Sequence, residues 1–213
     1  QSLSFAPDGT PYVAYQDYDN DYKTTVMRFV DGSWQVVGIP WFSAAGASYQ
    51  SLSFAPDGTP YVAYQNGFNG PTTVKSLNGA AWVDVGNPGF SAGEASYQSL
   101  SFAPDGTPYV AYRDYGYSQK TTVMRFVSGS WQVVGIPGFS AGVAQYQSLS
   151  FAPDGTPYVA YRDDGNSGKT VVMRYNGPDW VEVGSPGGLS AGAAYHQSLS
   201  FAPDGTPYVA YQD

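Results

Sequence analysis

One fifteen-residue segment, QSLSFAPDGTPYVAY, occurs five times without a change in this 213-residue chain. The copies begin at Gln1, Gln50, Gln98, Gln147 and Gln197, so that successive copies lie 48 to 50 residues apart. A period of this length is typical of repeat proteins in which one supersecondary unit is copied, and propeller blades fall within it. The sequence therefore predicts a single domain that covers 1–213, made of repeats 1–49, 50–97, 98–146 and 147–196 and a half repeat 197–213.

Each repeat has the pattern of four strands joined by short turns. In the first strand Leu3 and Phe5 alternate with serines, which is the period-two pattern of a half-buried strand. A Pro-Asp-Gly-Thr turn leads to the second strand, and the runs TTVMRFV and WQVVG follow as the third and fourth. No stretch has helical periodicity, and β-branched and aromatic residues dominate the runs. We predict an all-β fold, a β-propeller of four-stranded antiparallel blades with about four and a half repeats, five inner strands and an incomplete last blade.

The repeat also resembles known blades. SLSFAPDGTPYVAY followed by TTVMRF and SWQVVG is similar to the blade repeats of bacterial secreted or cell-surface propeller proteins. The first hairpin, with its Asp-Gly turn, is similar to that of NHL-type propellers. The resemblance covers the whole chain and implies an architecture, because propellers of this kind carry many different activities.

The half repeat supplies only the first two strands of a blade. Its second strand, at 206–211, is therefore expected to have an unpaired edge. Such an edge is a template for pairing with another chain. We expect either self-association through this C-terminal edge strand or that the chain is a piece cut from a longer array.

Composition excludes several classes of partner. Hydrophobic residues make up 42% of the chain and charged residues 12%, which is the balance of a folded protein. The net charge of −8 opposes binding to nucleic acid, and no apolar run approaches the length that spans a bilayer. Cysteine is absent, which excludes disulfides and thiolate metal sites. A surface rich in Tyr, Ser, Thr, Asn and Gly and poor in Lys favours an extracellular or cell-surface location.

The residues usual in catalysis are scarce. His196 is the only histidine, and it stands where the other copies have Tyr49, Tyr97 and Tyr146. No cysteine, nucleophile-elbow motif or phosphate-binding glycine loop is present. Each aspartate of the Asp8 series is explained by its turn. We therefore expect a protein that is not an enzyme and that carries no cofactor.

The loop after the second strand of the first repeat offers a weak metal site. Asp17, Asp19 and Asp21 alternate there, as do the ligands at the start of a Ca²⁺ loop. The glycine and the terminal glutamate of an EF-hand are missing, and the second repeat lacks the acids. A solvated acidic loop is the favoured interpretation, so no metal is predicted.

The crossover between repeats is the better candidate for binding, because an aromatic face beside amide groups suits a sugar. The proposed ligand-binding residues are Phe42, Tyr49, Gln50, Phe90, Tyr97, Gln98, Phe139, Tyr146, Gln147 and His196. The competing interpretation is that these aromatics fill the gap between blades. We expect a non-catalytic, multivalent, lectin-like module that binds glycans at inter-blade loops. The alternative is a structural or assembly repeat, natural or engineered, without a small ligand.

Overall fold

The computed structural model describes residues 1–213, and almost all of its regular structure is β. The first sheet is formed by β1 (Ser2–Phe5), β2 (Pro11–Asp17), β3 (Lys23–Val30) and β4 (Ser33–Val36). The second contains β5 (Ala47–Phe54), β6 (Pro60–Asn66), β7 (Thr72–Asn78) and β8 (Ala81–Asp84). The third contains β9 (Ala95–Phe102), β10 (Pro108–Asp114), β11 (Lys120–Val127) and β12 (Ser130–Val133). The fourth contains β13 (Ala144–Phe151), β14 (Pro157–Asp163), β15 (Lys169–Tyr175) and β16 (Trp180–Glu182).

The fifth sheet has two strands, β17 (Tyr195–Phe201) and β18 (Pro207–Gln212). The only helical segments are two single 3₁₀ turns, Tyr115–Tyr117 and Asp164–Asn166. The chain has no helix with the length and apolar character needed to cross a membrane.

Every sheet is an antiparallel meander in chain order, and the first strands of successive sheets lie side by side around a common axis. The sheets are the blades of a β-propeller, with five inner strands and a last blade that lacks its outer half. The predicted fold class is confirmed. No strand pairs with the outer edge of β18. Self-association through that edge stays a prediction.

The repeated turn has one hydrogen-bond pattern in all five copies. In the first, the backbone N–H of Thr10 donates to Asp8 Oδ1 at 2.9 Å, and Gly9 takes a φ of +85°. These bonds hold the pKa of the turn aspartates below the ordinary value. The Asp8 series therefore has the turn role predicted for it.

Neighbouring blades are joined by aromatic pairs. Phe90 of one crossover stacks on Trp131 of the next blade, with ring centroids 4.4 Å apart, and Trp131 Nε1 donates to Val85 O at 2.8 Å. The same pair recurs as Phe42 with Trp82 and Phe139 with Trp180. Between these contacts, hydrophobic clusters extend from one sheet to the next. The blades are thereby held at fixed angles around the axis.

Candidate functional site

A cavity of about 320 Å³ lies on the propeller axis, at the end where the inner strands begin. Each inner strand contributes to it. Its lining residues are Gln1, Tyr49, Gln50, Tyr97, Gln98, Tyr146, Gln147, His196 and Gln197.

A β-bulge turns the aromatic side chains toward the axis. In the third blade Ser96 pairs with Arg113 and Ser99 with Ala111, so that Tyr97 and Gln98 together lie opposite the single residue Tyr112. Bulges of this kind re-aim side chains and are common next to active sites. The same irregularity occurs in the second, fourth and fifth blades.

The bulge holds four non-glycine residues in the left-handed region of backbone space. The φ angles are +54° at Tyr49, +57° at Tyr97, +57° at Tyr146 and +55° at His196. A bulky residue in this region is strained by about 1–3 kcal/mol, and such strain concentrates at functional sites. The strain is repeated blade by blade around the cavity.

These four rings form a continuous arc. The centroids of Tyr49 and Tyr97 are 4.8 Å apart, those of Tyr97 and Tyr146 are 4.8 Å apart, and those of Tyr146 and His196 are 4.6 Å apart. Burial, followed by the neighbouring phenols, raises the pKa of Tyr97 to about 12. The Tyr97 phenol therefore stays protonated at neutral pH and donates hydrogen bonds.

The glutamines beneath the arc offer buried acceptors. Gln98 Nε2 donates to Ala95 O at 3.0 Å and to Thr72 Oγ1 at 3.2 Å, and Gln147 and Gln197 are held by equivalent threonines. The side-chain oxygens of Gln98, Gln147 and Gln197 have no hydrogen-bond partner, and these residues are only 6–7% exposed. Buried polar atoms are normally paired, so three orphaned oxygens beside one cavity indicate a place for donors.

Two arginines lie near the aromatic arc. The Arg113 guanidinium is 4.9 Å from the Tyr97 ring centroid and donates through Nε to Ser96 Oγ at 2.9 Å. Arg162 lies 4.5 Å from the Tyr195 ring centroid and pairs with Asp164 at 2.9 Å. Arg113 forms no ion pair, and Arg162 Nη1 is buried without an acceptor. The charge of Arg162 is therefore compensated by Asp164, whereas that of Arg113 is not compensated by a carboxylate.

The structure divides the residues proposed from the sequence into two groups. Tyr49, Tyr97, Tyr146, His196, Gln50, Gln98 and Gln147 meet in the axial cavity. Phe42, Phe90 and Phe139 do not line it, because they stack on tryptophans between blades. Sequence reasoning missed Gln1 and Gln197 as lining residues, although both occupy the repeat position of Gln50.

The acidic loop of the first blade has its own internal bonding. Asp17 Oδ2 accepts hydrogen bonds of 2.9 Å from both Asn20 Nδ2 and Trp41 Nε1. Asp21 lies in the left-handed region, with a φ of +54°. Nowhere in the chain do three or more His, Cys, Asp or Glu side chains come close enough to hold a metal ion. Asp17, Asp19 and Asp21 thus form a hydrogen-bonded surface loop.

Sequence comparison identifies no relative, since no protein-family model and no curated protein matches the chain. Solved structures do match. An endo-1,4-beta-xylanase from Bacteroides thetaiotaomicron has a TM-score of 0.59 and 13% identity over 98% of this chain and 82% of its own. An ulvan lyase, which is a polysaccharide lyase, has a TM-score of 0.65 and 12% identity, and the match covers 97% of this chain and 62% of the lyase. The α-L-arabinanase of Penicillium chrysogenum, complexed with arabinobiose, has a TM-score of 0.63 and 12% identity, and the match covers 98% of this chain and 73% of the arabinanase.

These neighbours show the propeller fold, and they contradict the expectation of a protein that is not an enzyme. The matching structures that have an assigned activity are mostly carbohydrate-active enzymes, including a sialidase and a family-43 glycoside hydrolase. The non-catalytic binding module and the inert scaffold are both corrected on this ground. His196 looked like an isolated substitution in the sequence, and the fold places it against Tyr146 in the axial cavity.

Proposed function

We propose that this protein is a secreted or cell-surface enzyme that processes glycans, with the axial cavity as its active site. The observation that carries the proposal is the contact between the only histidine and Tyr146, with ring centroids 4.6 Å apart, above buried and unpaired glutamine oxygens. Histidine is the side chain most often used as a general acid or base. Aromatic rings and carboxamides together bind the C–H faces and the hydroxyl groups of a sugar.

The fold neighbours support the substrate class. A xylanase, an ulvan lyase and an arabinanase share this architecture over nearly the whole chain. We propose a glycan substrate for this chain as well, because its cavity is lined by nine residues that are all Tyr, Gln or His. Such a lining has many hydrogen-bonding groups, which suits a polyhydroxylated ligand.

The cavity lining favours one reaction type over another. Most glycoside hydrolases use a pair of carboxylates on either side of the scissile bond, and neither Asp nor Glu lines this cavity. An imidazole beside a phenol instead suits proton abstraction from a carbon next to a carboxylate. Arg162 packs 4.5 Å from the Tyr195 ring and exchanges its ion pair with Asp164 for the substrate carboxylate in this proposal. We therefore propose β-elimination on a glycan that contains uronate.

In this reaction His196 removes the proton from the carbon next to the carboxylate of the uronate. The C–H electron pair forms a carbon–carbon double bond, and the bond from the adjacent carbon to the glycosidic oxygen breaks. The phenol of Tyr146 donates its proton to the departing oxygen, and the proton held by His196 returns to the phenolate through solvent. Arg162 stabilises the charge that develops on the carboxylate during proton abstraction.

The first experiment is cleavage of purified polysaccharides by the 213-residue chain. Polygalacturonate and alginate supply 4-linked uronates, in which the glycosidic oxygen can leave by elimination, and unsubstituted xylan and arabinan serve as neutral substrates. We expect new reducing ends together with ultraviolet absorbance from the unsaturated product on a carboxylated polymer only. Reducing ends without absorbance would contradict elimination and favour hydrolysis, and the absence of both on every polymer would overturn the proposed function.

Comparison with the other repeats provides a matched variant for this assay. His196→Tyr introduces the residue that the other blades carry at this position with the same φ, so the fold should be retained. We expect cleavage to fall by at least about a hundredfold, which is the usual range for a general base. Unchanged cleavage by a folded H196Y protein would remove His196 from the mechanism.

A further inference from the structure

We propose that a second glycan-binding subsite lies beside the axial cavity, on a platform of four aromatic side chains. This aromatic platform consists of the contacting rings of Tyr18, Tyr22 and Phe68 and of Trp41, whose indole is held by Asp17, the residue before Tyr18. The inference rests on the proposed function, because it assumes a substrate long enough to extend out of the cavity. It concerns residues that neither the repeat motif nor the axial cavity contains.

The platform is apolar surface that the fold leaves in contact with water. Tyr18 is 73% exposed and Phe68 is 70% exposed. The Tyr18 and Tyr22 ring centroids are 4.9 Å apart and those of Tyr22 and Phe68 are 5.6 Å apart, so that loops from two adjacent blades form one aromatic surface. A contiguous exposed apolar surface of this kind marks a place where a ligand binds.

Trp41 is the strongest sign that the platform has a use beyond packing. It has a φ of +54°, and the equivalent positions in the next three repeats are Gly89, Gly138 and Gly187, with φ between +65° and +79°. Glycine takes this conformation without strain, whereas a tryptophan there is unfavourable by about 1–2 kcal/mol. The first blade thus carries a strained, half-exposed aromatic where the other blades carry none.

The two loops are fixed in place rather than loosely attached. Tyr22 O accepts a hydrogen bond of 2.8 Å from Ala47 N, and Gly46 O accepts one of 2.8 Å from Gly67 N. A side chain at Gly46 would come within 3.2 Å of the Tyr22 side chain and 3.6 Å of Phe68, so glycine lets the loops close on each other. The platform is therefore formed before any ligand arrives.

The platform lies next to the axial cavity. Gly46 directly precedes β5, and Tyr49, the first ring of the axial arc, follows it by three residues, which is about 10 Å in extended chain. Polar groups border the aromatic rings, because Asp17 Oδ2 holds Trp41 Nε1 at 2.9 Å. Flat apolar faces with a polar border match the alternating C–H faces and hydroxyl groups of a sugar chain.

The complete platform occurs only at the first two blades. The third repeat keeps one of its tyrosines, as Tyr115, but has Gln119 and Gly138 at the positions of Tyr22 and Trp41. The positions of Tyr18, Tyr22 and Trp41 are occupied in the fourth repeat by Asp164, Gly168 and Gly187. A glycan that leaves the cavity over the first blade therefore meets aromatic surface, and one that leaves over the fourth blade does not. The platform therefore favours a bound glycan that leaves the cavity over the first blade.

The test measures binding in the H196Y background, so that the polymer is not consumed. Native gels are cast with polygalacturonate, alginate, xylan or arabinan, and affinity is taken from the retardation of the protein. We expect Phe68→Ala combined with Trp41→Gly to weaken binding to a retarding polymer by at least about tenfold. Tyr208→Ala is the control, since Tyr208 is 63% exposed and lies on β18, away from the platform.

Trp41→Gly introduces the glycine that the other repeats have at this position. The thermal midpoint of unfolding is measured to show that each variant is folded. Equal retardation of the double variant and the control would overturn the inference, and so would the absence of retardation in all four gels. The inference and the proposed function fail separately. Binding that needs the platform, in a protein that cleaves none of the polymers, contradicts only the proposed reaction, whereas cleavage without platform-dependent binding contradicts only the subsite.

Discussion

The backbone N–H of Leu100 donates a hydrogen bond of 2.9 Å to Oγ of Ser51 on the neighbouring inner strand. The same bond joins the other adjacent inner strands, from Leu52 to Ser2, from Leu149 to Ser99 and from Leu199 to Ser148. Inner strands of neighbouring blades do not pair with each other as a sheet, so the leucine N–H would otherwise have no partner. A serine of the repeated segment thus joins each blade to the next.

Removal of this hydroxyl should destabilise the propeller. Ser99→Ala leaves the buried N–H of Leu149 without an acceptor, which costs about 1–3 kcal/mol in free energy of unfolding. Ser101→Ala is the matched control, because Ser101 lies two residues along the same strand and makes no such bond. Urea denaturation measures both variants, and equal stabilities would refute the role given to Ser99.

The crossover phenylalanines should affect stability rather than glycan binding. Phe139 stacks on Trp180 with an interplanar angle of 11°, so Phe139→Ala opens a gap between the third and fourth blades. We expect a loss of about 2–4 kcal/mol in free energy of unfolding. Phe139→Leu is the milder variant, since Leu189 occupies this position in the fourth repeat. A folded F139A protein with full stability and no polysaccharide affinity would instead identify Phe139 as a ligand contact.

Arg162 should act on substrate affinity through charge. Arg162→Gln introduces the residue present as Gln16, Gln65 and Gln212 in other repeats, and it removes the only ion-pair partner of Asp164. Because that pair is partly exposed, its loss should change stability by less than about 1 kcal/mol. For a carboxylated polymer we expect kcat/KM to fall by at least about tenfold. An unchanged kcat/KM of the folded R162Q protein on that polymer would show that Arg162 does not recognise the carboxylate.

Stability should decline in acid because of the turn aspartates. Hydrogen bonds from the threonine N–H groups lower the folded-state pKa of Asp57, Asp154 and Asp204 below 3.8. Between that value and the lowered one the unfolded chain binds more protons, so the stabilisation is present above about pH 4 and is lost as pH falls through the folded pKa. The triple Asp→Asn variant should show a smaller decline in thermal midpoint over this window, and an unchanged decline would assign the effect to other groups.

The blade could be predicted from the sequence because each signal was local and repeated. Alternation in the segment that holds Leu3 and Phe5, and the turn at Asp8, were sufficient to place the hairpin. The bulge at Tyr97 and Gln98 could not be predicted in this way, because no glycine marks it and its conformation depends on pairing with the next strand. The axial position of Tyr97 was therefore missed, although its place in every repeat was known.

The aromatic platform was missed for a different reason. Comparison of Trp41 with Gly89 and Gly138 needs only the aligned repeats, so the signal was present in the sequence. What the sequence could not show is that Tyr22 and Phe68, from different blades, lie 5.6 Å apart between their ring centroids. Contacts between blades depend on the angle at which the sheets pack, and no local pattern encodes that angle.

The β-bulge also affects how the blades of a repeated propeller can come to differ from one another. It brings one side chain to the axial cavity in each of the second to fifth blades, while the hydrophobic contacts between sheets lie elsewhere. A substitution at that position, as from tyrosine to histidine at 196, changes the chemical groups that line the cavity and leaves the contacts between blades intact. Duplication of the repeat places the same residue at the bulge of several blades, and one point mutation is enough to make one blade differ from the others at that position.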